Sequence, residues 1–213
     1  WQLFDSLKEK YGRDIFGQGY IFRIVNNEWL ANVDNLTDDE KNNGIVSDKC
    51  FVSYDKGDKE GNRWYFDNPF VIEWSKKNVK ELKANAGKKG PGGSRFQNSQ
   101  FYFREGFCYM DVNTYYLKSR YKGKSIHDVM GMSFFPLIEK IPSYYLVCLI
   151  NSEFIARLVF NFLNNTSHFQ INDCRMLPIP VPNDEQLLYA KELYENAEKL
   201  QKMYFNNELT KEE

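Results

Sequence analysis

The chain has 213 residues, 42% hydrophobic and 16% aromatic, which is enough for one generous domain or two small ones with a real core and argues against disorder. Its most apolar stretch, Tyr144 to Leu163, is interrupted by Asn151, Ser152, Glu153, Arg157 and Asn161, which rules against a membrane span and favours a buried helical pair. No secretory leader is visible, and the start at Trp1 without an initiator Met reads as a piece of a longer protein.

In chain order, Leu3, Phe4 and Leu7 predict a short helical opening, and Tyr20 to Val25 an apolar strand. The acidic segment 31–48 reads as an exposed loop or a short capped helix. Cys50 to Tyr54, Arg63 to Phe66 and Phe70 to Trp74 read as strands. They are separated by a Gly-rich turn at 56–62 and by Asp67-Asn68-Pro69. Ser75 is the expected N-cap of a helix through Lys83 that ends near Gly87. Gly87-Lys88-Lys89-Gly90-Pro91-Gly92-Gly93-Ser94-Arg95 has the composition of the most flexible stretch. Gln100 to Phe103, Gly106 to Tyr109 and Met132 to Phe135 alternate as strands do. Pro142 opens a helical part: one helix over 144–150, a break at Asn151-Ser152, and a second, capped by Ser152, through Leu163. Leu177-Pro178-Ile179-Pro180-Val181-Pro182 forces an extended path. Asn183 with Gln186 forms a capping box for a last helix to about residue 206. Leu187, Ala190, Tyr194, Ala197, Leu200 and Tyr204 give that helix one apolar face.

Several chemistries are absent by pattern. Cys50, Cys108, Cys148 and Cys174 are far apart, and neither His127 nor His168 supplies ligand spacing, so they read as reduced cysteines without metal. Asp67-Asn68-Pro69-Phe70 lacks the second proline of a loop that grips an adenine amino group. Gly93 stands where a phosphate-binding loop needs its lysine before Ser94. Glu81-Leu82-Lys83 has the acid-x-Lys spacing of a nuclease metal site but falls on a helical pattern. His127-Asp128 has no nucleophile nearby. No catalytic residue is assigned.

Charge is unevenly placed. Residues 56–124 hold 15 Lys/Arg against 7 Asp/Glu, while the flanks are acidic, which points to a polyanionic partner. Lys88, Lys89, Ser94, Arg95, Gln97 and Asn98 lie in and after the glycine loop. Arg104, Lys118, Arg120, Lys122 and Lys124 follow among several tyrosines. These eleven are the candidate DNA-binding residues. Lysine and arginine neutralise phosphates, and Arg, Asn and Gln match base edges in the major groove.

The most specific pattern lies over 142–188. Tyr-Tyr-Leu-Val-Cys-Leu-Ile-Asn-Ser is followed by a second helix, Phe169-Gln170-Ile171-Asn172-Asp173, the Leu-Pro-Ile-Pro-Val-Pro run and Glu185-Gln186. With Asn62-Arg63-Trp64-Tyr65, Phe70-Val71-Ile72-Glu73-Trp74 and Phe103-Arg104-Glu105-Gly106-Phe107, it resembles the TaqI-type C-terminal specificity domain of adenine-specific DNA methyltransferases, including type IIG enzymes. It is also similar to the recognition subunits of type I restriction systems. The likeness covers roughly residues 50–205.

It implies a non-catalytic target-recognition domain for double-stranded DNA in a bacterial restriction–modification system. The parent enzyme would be an S-adenosylmethionine-dependent adenine-N6 methyltransferase, with Mg2+ if it also cleaves DNA. This piece would hold no cofactor, would partner a methyltransferase domain N-terminal to it, and would be cytoplasmic. On this reading Leu177 to Pro182, Trp64, Trp74 and Phe169 are architectural. The expected fold class is α+β. Residues 1–48 are unassigned, 49–140 form a strand-rich recognition region, 141–206 a helical region with a long C-terminal helix, and 207–213 a tail. Two alternatives are a protein-interaction scaffold docking through helix 183–206 and a nuclease. Salt-dependent duplex binding and metal-dependent cleavage separate the three.

Overall fold

A computed structural model describes residues 21–22, 27–58, 61–68, 70–90, 93–113, 115–127 and 132–210. The strands are β1 (Ile21–Phe22), β2 (Phe51–Asp55), β3 (Val71–Glu73), β4 (Gly106–Tyr109), β5 (Ser119–Lys122), β6 (Ile126–His127) and β7 (Met132–Phe134). The helices are α1 (Asp38–Asn43), α2 (Lys76–Ala84), α3 (Ser143–Ile150), α4 (Glu153–Leu158), α5 (Ile171–Arg175) and α6 (Asp184–Phe205). This is a mixed α+β fold ending in a long helix, as the predicted elements implied. The expected opening helix lies outside the described residues, as do residues 20 and 23–25 of the first expected strand.

The chain divides into two compact units that share it in alternating pieces. One takes Trp1–Asp55, Asn68–Phe103 and Lys124–His127. The other takes Lys56–Asp67, Arg104–Gly123 and Asp128–Glu213. This division does not follow the expected boundary at 140/141. The strands of region 49–140 enter two separate sheets, one per unit, and β4 and β5 pack on α3 of the helical region.

The first unit is built on a sheet in the order β1-β3-β2-β6, antiparallel except where β6 runs parallel to β2. Trp74 anchors its core. The ring is buried, lies parallel to Phe96 at 6.1 Å, and meets Tyr102 and Phe103 edge-on. Its indole N–H donates to the carbonyls of Glu40 and Lys41, tying the sheet to α1. The acidic segment does form a capped helix: Thr37 Oγ1 accepts from the Glu40 N–H, and the Glu40 carboxylate accepts from the Thr37 N–H. The strand expected over 100–103 is instead a 3-10 turn, Ser99–Phe101. Asn98 and Phe103 sit at φ of 56° and 58°, left-handed conformations that break an extended run on either side.

The second unit centres on the sheet β5-β4-β7, antiparallel throughout, packed against α3. Tyr109, Leu117, Val147, Ile150, Ile155, Val159 and Phe169 form its buried centre. The strand expected over 63–66 is reduced to one bridge, Trp64 to Arg120, because Trp64 lies at φ 69° and cannot propagate a ladder. The helical pair forms as expected. Asn151 closes α3, Ser152 Oγ accepts from the Ile155 N–H, and α4 continues into a π-helical turn, Val159–Leu163. The two halves bend by 58°, and among the described residues no single helix is long and apolar enough to cross a membrane. The Pro-rich run connects α5 to α6, and the Tyr145 hydroxyl donates to the Pro180 carbonyl within it. The capping box opening α6 is present as predicted, with Asn183 Oδ1 and Gln186 Oε1 each accepting from the other's N–H.

Asn151 joins these parts. Its Nδ2 donates to the Ser119 carbonyl and its Oδ1 accepts from the Ser119 N–H, both at 2.8 Å and fully buried. Its own carbonyl accepts from the Arg63 guanidinium. Removing the carboxamide strands the buried Ser119 N–H and leaves the Ser119 carbonyl with the Trp64 N–H alone, so Asn151→Ala should destabilise the chain by roughly 1–3 kcal/mol in urea unfolding. Asn151→Asp should be no milder, since its second oxygen would face the Ser119 carbonyl.

Candidate nucleic-acid interface

The basic segment of the first unit begins at α2. Ser75 caps it, its Oγ accepting from the Asn78 N–H. Asn78, Val79 and Leu82 face inward, so Lys76, Lys77, Lys80 and Lys83 line the outer surface. Some of these cations are engaged locally. Lys76 approaches Asp39 at 3.6 Å, and Lys83 donates to Asn43 Oδ1 and lies 5.6 Å from the Phe96 ring. Lys77 and Lys80 make no ion pair among the described residues.

The glycine loop is fixed at its base. The Ser94 N–H donates to the Asn85 carbonyl at 3.0 Å, the Gly87 N–H to the Ser94 carbonyl at 3.1 Å, and the Ser94 hydroxyl to the Leu82 carbonyl. A Cβ on Gly93 would sit 2.1 Å from the Lys88 carbonyl oxygen, so no side chain fits there. Gly90 turns the chain at φ +90°. A flexible composition therefore forms a loop tied to the C-terminal end of α2. Residues 91 and 92 lie outside the described residues.

Beyond that base the side chains are exposed. Lys88 donates to Asn85 Oδ1 at 2.8 Å, while Lys89 and Arg95 carry no ion pair among the described residues. Gln97 and Asn98 follow, both exposed. Residues 76–98 hold seven cations and one acid, and among the described residues Lys77, Lys80, Lys89 and Arg95 make no ion pair. Ser94 is not offered outward, because its hydroxyl is committed to Leu82. Lys124 pairs with Asp34 at the surface.

Four of the eleven candidates belong to the second unit, and they divide sharply. Arg104 is exposed, with its guanidinium 5.9 Å from the Phe135 ring, and Lys118 lays its stem against Gly61. Arg120 and Lys122 are 4% and 3% exposed. Arg120 lies over Phe66, and Lys122 over Phe135 with its ammonium near the carbonyls of Arg104 and Gly123. The expectation that they face a phosphate backbone is corrected by this burial: they are interior cations of β5, held under aromatic rings. Lys77 and Lys80 were absent from the candidate set, although the Ser75 cap and the lysine spacing on one helix were signals enough to include them.

The other patterns read from sequence settle into structural places. The Asn68 amide donates to the Tyr54 carbonyl and accepts from the Phe70 N–H, holding a turn between β2 and β3. Glu81 and Lys83 flank the buried Leu82 on α2. His127 packs edge-on to Tyr102 at 5.1 Å, and His168 Nδ1 lies 2.9 Å from Asp111. The cysteines are unpaired as disulfides. Burial pushes the Cys148 thiol up to about 11, and burial with the nearby Asp173 pushes Cys174 up to about 12. Neither thiol is primed as a nucleophile. Among the described residues no cluster of His, Cys, Asp or Glu is placed to hold a metal ion. What this surface offers chemically is positive charge and amide hydrogen bonding.

If the base of the loop is set by Ser94, Ser94→Ala should leave the overall fold intact while speeding amide hydrogen exchange at Gly87 and Gly93 several-fold. Unchanged exchange would assign the anchoring to the backbone bonds alone.

No family model matches the chain, and no curated protein matches it.

Proposed function

We propose that the chain is a sequence-specific double-stranded DNA recognition module of a bacterial restriction–modification adenine-N6 methyltransferase of the type IIG kind, itself non-catalytic and cytoplasmic. The observation that carries this reading is the row of exposed cations on α2 and the anchored glycine loop, set beside the exposed amides of Gln97 and Asn98. Such a surface suits a duplex. Lys77, Lys80, Lys88, Lys89 and Arg95 would neutralise phosphates and fix register, with affinity gained from counterion release. Gln97, Asn98 and Arg95 would read base edges. Chemistry would come from a partner methyltransferase domain that holds S-adenosylmethionine and takes the target adenine out of the stack. Mg2+ enters only if the parent also cleaves. The resemblance of the Asn-Ser, Pro-run and Glu-Gln sequence to specificity domains supports the same reading.

A second reading, a protein-interaction scaffold, is favoured by one observation. Among the described residues the first unit exposes only Trp29 and Val46 of the large hydrophobic side chains. The second exposes many more, including Leu188, Tyr189, Leu193 and Leu200 on α6.

Fluorescence polarisation with random duplex across a salt series tests the DNA reading. The wild type should bind with a Kd of about 1–100 μM that weakens steeply with salt. Lys88→Ala/Lys89→Ala/Arg95→Ala should lower the slope of log K against log salt by about two to three, and Lys77→Ala/Lys80→Ala by about two. A chain that binds no duplex at low salt, or variants that bind like wild type, would overturn the assignment of this surface.

A further inference from the structure

Between Phe96 and Tyr102 the chain leaves one aromatic cluster and returns to it. The Phe96 ring lies parallel to buried Trp74 at 6.1 Å, and Tyr102 meets both rings edge-on. The Phe96 and Tyr102 ring centroids are 5.6 Å apart, so the segment between them is closed into a knuckle pinned at both ends. Inside it, the Phe101 N–H donates to the Asn98 carbonyl at 2.9 Å and the Tyr102 N–H to the Ser99 carbonyl at 3.1 Å. Asn98 opens this turn at φ 56° and ψ 34°, a left-handed conformation that asparagine tolerates better than most residues.

The exposed side chains of the knuckle are of one kind. Gln97, Asn98 and Gln100 face solvent, and none of their carboxamides makes a hydrogen bond among the described residues. The carboxamides of Asn32, Asn68, Asn151 and Asn164, in contrast, all close on the chain itself. Residues 97–100 span at most about 10 Å, which is about three base-pair steps of ~3.4 Å. A carboxamide sets an N–H donor beside a carbonyl acceptor. Adenine offers the matching pair in the major groove, its N7 acceptor beside its N6 amino donor. Guanine offers two acceptors there, N7 and O6, and would leave the amide carbonyl facing an oxygen. Because the knuckle backbone is already fixed, little ordering cost is set against that difference on binding.

We propose that residues 97–100 are the adenine-reading element of this surface, placing their carboxamides on adenines at two or three adjacent base pairs through the major groove. The proposal rests on the DNA reading and deepens it. Gln100 joins Gln97 and Asn98 in setting specificity, and the preference is for adenine over guanine.

Selection from a random duplex pool by the 213-residue chain supplies the duplex for the test. The wild type should enrich adenine at two or three adjacent positions. Replacing those adenines with 7-deazaadenine removes the N7 acceptor while keeping base pairing and the minor groove. That replacement should weaken wild-type binding by about fivefold or more. Gln97→Met/Asn98→Gly/Gln100→Met removes the amides while keeping side-chain length at 97 and 100 and the left-handed turn at 98. This variant, checked for folding by circular dichroism, should bind the two duplexes alike. Lys77→Ala/Lys80→Ala should weaken binding to both duplexes and preserve their ratio. Selected sites without adenine, a wild type indifferent to 7-deazaadenine, or a triple variant that still discriminates would overturn the proposal and leave the DNA reading standing. A wild type that binds no duplex at low salt overturns both.

Discussion

The carboxamide of Asn151 takes both backbone hydrogen-bonding groups of Ser119 on the outer edge of β5. An edge strand otherwise offers those groups to any passing strand. Here a side chain from the end of α3 stands in for the missing neighbour, and the Trp64 N–H adds a further bond to the same carbonyl. Sheet, helix and the 63–66 segment of the second unit are thereby fixed to one residue. The next residue, Ser152, caps α4 at the break where the two helices bend by 58°. The Asn-Ser pair therefore has two physical duties in consecutive positions, clamping a strand and starting a helix.

Cations serve two opposed purposes in this chain. On β5, Arg120 and Lys122 occupy one side of a strand, and their aliphatic stems run inward under Phe66 and Phe135 with their charged heads near carbonyl or sulfur acceptors. Burying them stabilises only because rings and acceptors replace water. On α2 the inner face is taken by Asn78, Val79 and Leu82, so lysines at other positions point outward into water. The same residue type is structural in one setting and available in the other, and the element it belongs to decides which.

Much of the frame was legible because it rests on local chemistry. The caps at Ser75, Ser152 and Asn183 act within three residues of themselves, so the starts of α2, α4 and α6 could be placed from sequence. β5 was not legible, because its Ser-Arg-Tyr-Lys run has no apolar alternation and depends on Asn151, distant in sequence, for its edge. The strands expected at 63–66 and 100–103 failed for the opposite reason. Their composition suits a strand, but Trp64 and Phe103 are held in left-handed conformations by surroundings that no window reveals. Helix α5 escaped notice because its cap is a Gln170–Asp173 exchange rather than a hydroxyl. Of the candidate surface, the loop cations were found by composition. Burial then removed Arg120 and Lys122, and the face of α2 added Lys77 and Lys80.

The glycine loop joins the protein almost entirely through backbone atoms, one serine hydroxyl, and a glycine that admits no side chain. Lys88 adds a bond to Asn85 Oδ1, but the outward Lys89 and Arg95 take no part in that attachment among the described residues. Substitutions at Lys89 and Arg95 are thus decoupled from folding, and the loop can be rewritten by point mutation without renegotiating the scaffold. A surface organised this way can drift quickly to new ligand preferences while the rest of the chain stays under tight constraint, and it is the natural place to randomise in a selection for altered specificity.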